Sequence, residues 1–110
     1  GMVDLVAAQA YVWHSNDKDS EWEIVPLDQV RSRFKFVVAL DDSWLDQLPK
    51  LRSELIESAL AMDDDAFMHY VETGEFDQAK LKECIRIGAV SGKLVPVLCG
   101  SSFKNKGVQQ

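Results

Sequence analysis

The hydrophobic period of this chain changes at Trp44. Before it, apolar residues come in short runs separated by polar or turn residues; after it, they recur every three and four positions. Strands repeat every two residues and helices every 3.6, so such a chain must divide between the two. The expected class is α/β in the α+β sense, a small mixed or antiparallel sheet of three to four strands with about three helices packed on one side. The 110 residues are one domain's worth of sequence. A chain of that length buries roughly two-thirds of its unfolded surface, enough for one core.

Val3 to Trp13 is rich in Val, Leu, Tyr and Trp with no turn residue, and reads as a strand buried on both faces. A polar loop, His14 to Ser20, follows. Trp22, Ile24 and Val25 make a second short strand ended by Pro26, and Phe34–Leu40 a third. Asp41-Asp42-Ser43 offers a helix N-cap. Trp44, Leu48, Leu51, Leu55 and Ala59 then form an apolar stripe at helical spacing. Pro49 falls inside it and implies a kink or a first-turn position. The opposite face carries Glu54, Glu57 and, if the helix runs on, Ala61 and Asp64. Asp63 caps a second helix, whose apolar side is Phe67, Met68, Tyr70 and Val71 and which ends at Thr73-Gly74. Asp77 caps a third, with Leu81, Cys84, Ile85 and Gly88 buried, and Gly92 fits its left-handed end. Leu94–Cys99 is expected as a last buried strand, with Pro96 where no N–H is needed.

The net charge is −6, from 18 acidic and 12 basic residues. That argues against a nucleic-acid binder working by bulk charge, because neutralising phosphates needs clustered Lys and Arg. No apolar run approaches the ~20 residues of a membrane span. Gly1 to Ala10 contains Asp4 and no basic residue, unlike a signal or transit peptide. The charge is unevenly spread: Asp41 to Asp77 holds eleven acids against Lys50 and Arg52, and from Lys80 onward six bases face Glu83 alone. Such a stretch is either a set of solvated helix faces or an acidic surface that steers a basic partner.

Several site readings fail on spacing. Asp17, Asp19 and Glu21 alternate like a calcium loop, but the glycine position is Trp22 and the final glutamate position is Asp28. His14, His69, Cys84 and Cys99 lack metal-ligand spacing, so no metal site is assigned. Asp63-Asp64-Asp65 is a helix start favoured by the dipole. One disulfide is conceivable, yet two reduced cysteines fit better, and Cys99 reads as a buried strand cysteine. No catalytic set is assigned.

Gly100 to Gly107 follows an apolar run, the usual place for a ligand loop in an α/β sheet. It lacks the Gly-Lys-Ser/Thr ending of a phosphate loop, and Asn105-Lys106 is followed by Val108 where the base-reading Asn-Lys-x-Asp has aspartate.

The segment Cys99-Gly100-Ser101-Ser102-Phe103-Lys104-Asn105-Lys106-Gly107-Val108-Gln109 closely resembles the translation elongation factor G family, whose usual wording differs only in an alanine at Ser102. Gly1-Met2-Val3-Asp4-Leu5-Val6 resembles the family's Gly-Val-Val-Asp-Leu-Val, Trp13 its following tryptophan, Leu55-Ile56-Glu57-Ser58-Ala59 its Leu-Ile-Glu-x-Ala, and Tyr70 the tyrosine of its Lys-Tyr-Leu. The resemblance covers most of the chain. It implies that residues 1–98 are the subdomain inserted in the GTP-binding domain. Residues 99–110 would then be the segment returning into that domain.

The resemblance further implies that Ser101, Ser102 and Phe103 carry the fifth guanine-nucleotide motif, with backbone N–H groups of the first two meeting the guanine O6. The phosphate loop, both switches and Asn-Lys-x-Asp are absent from this sequence, so the fragment itself should not hydrolyse GTP; GTP and Mg²⁺ belong to the intact parent. In the family the insert presents an acidic helix to the C-terminal domain of the ribosomal stalk protein. Glu57 and Asp64 match its acids, Ala61 replaces a glutamate, and Glu54 could compensate. The partners implied are therefore the stalk protein and, through the parent, the ribosome, with no membrane, no sequence-specific nucleic acid and a cytoplasmic location. Between Trp13 and Trp44 the chain is longer than the family pattern, and either Trp22–Pro26 or Phe34–Leu40 is the extra strand. The alternative reading is a divergent paralogue acting in ribosome recycling, with that insertion making a different contact.

Overall fold

The structure, a computed structural model, describes residues 1–33 and 42–108. In it the apolar run Val3–Trp13 is not one strand but a hairpin of β1 (Met2–Asp4) and β2 (Gln9–Trp13). Asp4 makes the break: its Oδ1 accepts the N–H groups of Val6 (2.9 Å) and Ala7 (3.0 Å), satisfying backbone donors that would otherwise seek a ladder. Ala8 completes the turn with φ of 56°. Strand β3 (Trp22–Pro26) pairs antiparallel with β2, Ala10 opposite Val25 and Trp13 opposite Trp22, giving the sheet order β1-β2-β3. Antiparallel is one of the two forms expected, and with four helices among the described residues the fold is mixed α+β. The expected strand Phe34–Leu40 lies outside the described residues.

The chain divides into two units, Gly1–Leu45 with Val97–Gln110, and Asp46–Pro96. In the first, α1 (Leu27–Arg33) packs on β2 and β3. Val3, Ala10, Val12 and Val25 share the inner sheet face by alternation, and Val30 of α1 closes the core over them. Helix α1 was not expected, although Asp28 in its first turn and Arg31 and Arg33 in its last are the charges a helix dipole favours. Arg33 also pairs with Glu23 at 2.7 Å.

Helix α2 (Asp42–Leu60), which belongs to the second unit from Asp46 onward, starts near the expected cap, of which Asp41 lies outside the described residues. Pro49 sits inside the helix rather than in its first turn, so the Leu45 carbonyl has no N–H four residues on. The buried side is Leu48, Ile56, Ala59 and Leu60, whereas Leu51 is 40% and Trp44 39% exposed. The real stripe is thus rotated from the expected one toward Ile56 and Leu60. Helix α3 (Asp64–Thr73) is capped by Asp63, which accepts the Ala66 N–H at 3.0 Å, and ends at Gly74 as expected. Its Met68 and Val71 are exposed, and no α3 residue is fully buried. Helix α4 (Gln78–Val90) follows expectation except at Ile85: Asp77 caps it, Leu81, Cys84 and Gly88 are buried while Ile85 is only half-buried, and Gly92 lies just past its end with φ of 73°. Phe76, between α3 and α4, meets Tyr70 edge-on at 6.0 Å and takes the Arg52 guanidinium on its face at 5.3 Å.

Leu94–Cys99 is not a strand. Val95, Val97 and Leu98 are 82–89% exposed, and Cys99 is an exposed free thiol instead of a buried one. Apolar content alone does not make a strand: the backbone needs a neighbouring ladder, and Pro96 removes one donor from this run.

Candidate functional site

The segment Gly100–Gly107 forms a closed turn. Ser101 and Lys106 exchange two backbone hydrogen bonds, Ser101 N–H to the Lys106 carbonyl at 2.7 Å and Lys106 N–H to the Ser101 carbonyl at 3.0 Å. Inside this clasp Ser102–Lys104 is one 3-10 turn, whose end is held by the Asn105 N–H on the Ser102 carbonyl. Asn105 and Gly107 are both left-handed, with φ of 52° and 75°. Gly107 is dictated twice over, because a Cβ there would also lie 3.0 Å from the Met2 sulfur and 3.1 Å from the Cys99 carbonyl. Ser101, Ser102 and Phe103 are therefore contiguous and exposed, with Phe103 84% accessible. The Ser101 N–H is spent on closing the turn. The Ser102 and Phe103 N–H groups, at the start of the 3-10 turn, take no part in the bonds that close it. Two backbone amides not used inside the turn can donate to an acceptor atom of a ligand.

Three side chains of this turn reach the loop between β2 and β3, all within the first unit. Lys104 Nζ donates to the Asn16 carbonyl (2.7 Å), Lys106 Nζ to the Ser15 carbonyl (2.6 Å), and Asn105 Nδ2 to Asp19 Oδ1 (2.6 Å). Lys106 also lies 5.9 Å from the Trp13 ring centre. The receiving loop is itself knotted: His14 N–H bonds the Glu21 carbonyl, Ser20 Oγ the Ser15 carbonyl, and Ser15 Oγ bonds Asp17. Sequence reasoning missed this contact, since nothing local marks a pairing across 86–91 residues.

The expected acidic residues lie in the second unit. Glu54 and Glu57 are exposed one turn apart on α2. Asp64 is not on the same helix. Helix α2 ends at Leu60 as Met62 and Asp63 donate to the Ala59 and Leu60 carbonyls, and Asp64 opens α3, where the dipole favours its charge. Beside it is an open groove of about 440 Å³ lined by Leu60, Asp63, Asp65, His69, Phe76 and Lys80 among others. Lys80 bridges Asp63 at 2.8 Å and Glu83 at 3.2 Å. The hydrogen bond from Lys80, then that from the Ala66 amide, holds the Asp63 carboxyl below its ordinary range, and Asp63 and Glu83 in turn push the Lys80 ammonium upward. Burial raises the Cys84 thiol. Among the described residues no group of three or more His, Cys, Asp or Glu side chains is gathered to hold a metal, and no helix is long and apolar enough to cross a membrane.

No family model matches the chain. Three relatives cover 99% of it: elongation factor G of Gluconobacter oxydans at 40% identity over 111 residues, that of Orientia tsutsugamushi at 37% over 109, and that of Anaplasma phagocytophilum at 36% over 109. The chain spans 14% of the length of each. A match that runs nearly end to end of the chain, at this identity and to relatives of one name, shows that the chain belongs to the elongation factor G family, as a segment of a translation factor.

Proposed function

We propose that this chain is the subdomain inserted in the GTP-binding domain of a cytoplasmic translational GTPase, and that its acidic helical surface docks the basic C-terminal domain of the ribosomal stalk protein. The observation that carries this reading is the exposure of Glu54, Glu57 and Asp64 in a stretch where eleven acids meet two bases, one of which, Lys50, already pairs with Glu54 at 3.8 Å. Exposed charges of this kind act mainly on encounter rate and are screened by salt. The contact is accordingly weak, transient and salt-sensitive.

The same reading makes Ser101–Phe103 the base-contacting turn of the parent's nucleotide site. Because the Ser101 N–H is spent on Lys106, the Ser102 N–H is the first amide left for the guanine O6. Ser102 in place of alanine is tolerated, since the contact uses backbone alone. GTP and Mg²⁺ are held by parts of the longer protein, and the chain alone performs no hydrolysis. Residues 99–110 are the return segment, and the apolar side chains of Leu94–Cys99 that lead into it are covered by the remainder of the GTP-binding domain.

The test is an NMR titration of this chain with the stalk protein's C-terminal domain at low and at physiological salt. Shifts centred on Glu54, Glu57 and Asp64 that fade with salt are the expected result. No shifts at low salt would overturn the docking reading.

A further inference from the structure

Residues 104–106 send three consecutive side chains to one loop, and two of the residues that meet there are backbone outliers. Asn105 and Asp19, joined at 2.6 Å, have φ of 52° and 54°. Non-glycine residues leave the ordinary φ range at a cost, and a pair of them facing each other implies that the surroundings hold both. Asp and Asn are the types that tolerate this conformation best. The two flanking lysines do not pair with carboxylates in this contact but cap the Ser15 and Asn16 carbonyls. Charge-assisted bonds to fixed backbone atoms specify a position, which a free ion pair does not. The loop between β2 and β3 is tied to the sheet by the His14 to Glu21 bond. The turn is therefore referenced to the sheet through residues 15–19.

We propose that the Ser15–Asp19 loop is a positioning latch for the Ser101–Phe103 turn, with Asp19 as its key residue, so that base contact at Ser102 and the state of the loop are coupled. The proposal rests on the reading of that turn as the guanine-contacting element. Asp19 touches no nucleotide; it acts through Asn105, three residues from Ser102. Coupling of this kind is reciprocal, so a bound base must also quiet the loop.

The test uses two variants in the full-length elongation factor. Asp19→Gly removes the acceptor while easing the backbone, and Asp19→Asn keeps both an acceptor oxygen and a tolerance for positive φ. Amide hydrogen exchange at Ser101 and Lys106 reads the turn directly. Affinity for GDP, compared with a 2-aminopurine nucleotide that lacks O6, reads base contact. Asp19→Gly is expected to speed exchange at both amides and to weaken GDP binding about two- to tenfold, the range of one exposed hydrogen bond. The 2-aminopurine nucleotide should bind unchanged, and Asp19→Asn should restore GDP affinity. Equal losses for both nucleotides would mean general loosening and overturn the positioning role. Unchanged exchange at Ser101 and Lys106 would overturn the latch itself. If the unaltered protein binds GDP and the 2-aminopurine nucleotide alike, the base-contact reading falls and the coupling with it, while the exchange data still decide whether the loop holds the turn.

Discussion

Leu81 and Met68 were both expected on apolar helix faces, and the structure separates them. Leu81 on α4 is 0% exposed and Met68 on α3 is 55% exposed. Leu81→Ala removes three carbons from a sealed site. At about 0.8 kcal/mol per methylene-sized group the transfer loss is about 2.4 kcal/mol, and incomplete collapse of the cavity brings the cost to about 3–5 kcal/mol. Met68→Ala removes three heavy atoms that are less than half covered, so its transfer loss is about 1 kcal/mol. It leaves no enclosed cavity, and the better helix propensity of alanine offsets a few tenths. The two variants should therefore differ at least threefold in destabilisation. Urea unfolding followed by helical circular dichroism measures this. With a slope of about 1–1.5 kcal/mol per molar, the midpoint moves by about 2 M or more for Leu81→Ala and by less than 1 M for Met68→Ala. Should Leu81→Ala leave too little folded protein to titrate, Leu81→Val reports the same site at about 1 kcal/mol. Equal shifts for the two positions would refute the packing assigned to α3 and α4.

Ala8 holds φ of 56° in the β1–β2 turn, so Ala8→Gly should stabilise the chain by about 0.5–1 kcal/mol in the same titration, relief of left-handed strain outweighing the extra freedom of the unfolded glycine. The Asp63–Lys80 pair sets a pH window. Asp63, with its folded pKa lowered, contributes above its unfolded value near ~3.9 and loses that contribution as pH falls through the lower folded value. Lys80, with its pKa raised, contributes below ~10.4 and loses it only as pH rises through its higher folded value. Lys80→Met should accordingly flatten the acid limb of the stability profile, seen as a smaller difference between unfolding midpoints at pH 5 and pH 2. Thiol labelling should be biphasic, Cys99 reacting at once and Cys84, buried with its thiol pKa raised, only on unfolding; two fast thiols would contradict the burial of Cys84.

Where the determinants are local, the sequence is transparent. Helix α4 shows it: an aspartate cap, a stripe at spacings of three and four, and a terminal glycine are all contained in its own residues. The limits of α3 follow equally from Asp63 and Gly74. The β1–β2 hairpin was hidden because its turn has neither glycine nor proline; its signal is the single carboxylate of Asp4, which looks like any polar residue in an apolar run. The stripe of α2 was misplaced by one side because Leu51 and Ile56 are equally apolar, and only the neighbouring helices decide which is covered. The candidate site divides in the same way. Ser101–Phe103 is a candidate by its wording alone, whereas Ser15, Asn16 and Asp19 are brought to the same turn by the sheet.

Leu94–Cys99 was misread for a related reason, and it bears on how the turn is held. Hydrophobicity reports how much a segment gains by being covered, not what covers it. Here Val95, Val97 and Leu98 are left exposed in a chain spanning 14% of its relatives' length. On the proposed function, their partner is the remainder of the nucleotide domain. A turn that depended on that partner for its shape would be open when Leu94–Cys99 is unpaired. Instead it is closed, by the two bonds between Ser101 and Lys106 and by the three side chains that reach residues 15–19. The shape of the Ser101–Phe103 turn is thus carried by this chain's own first unit, without a strand at Leu94–Cys99, and if that turn contacts the base as proposed, the β2–β3 loop is where a change in this chain would reach the nucleotide.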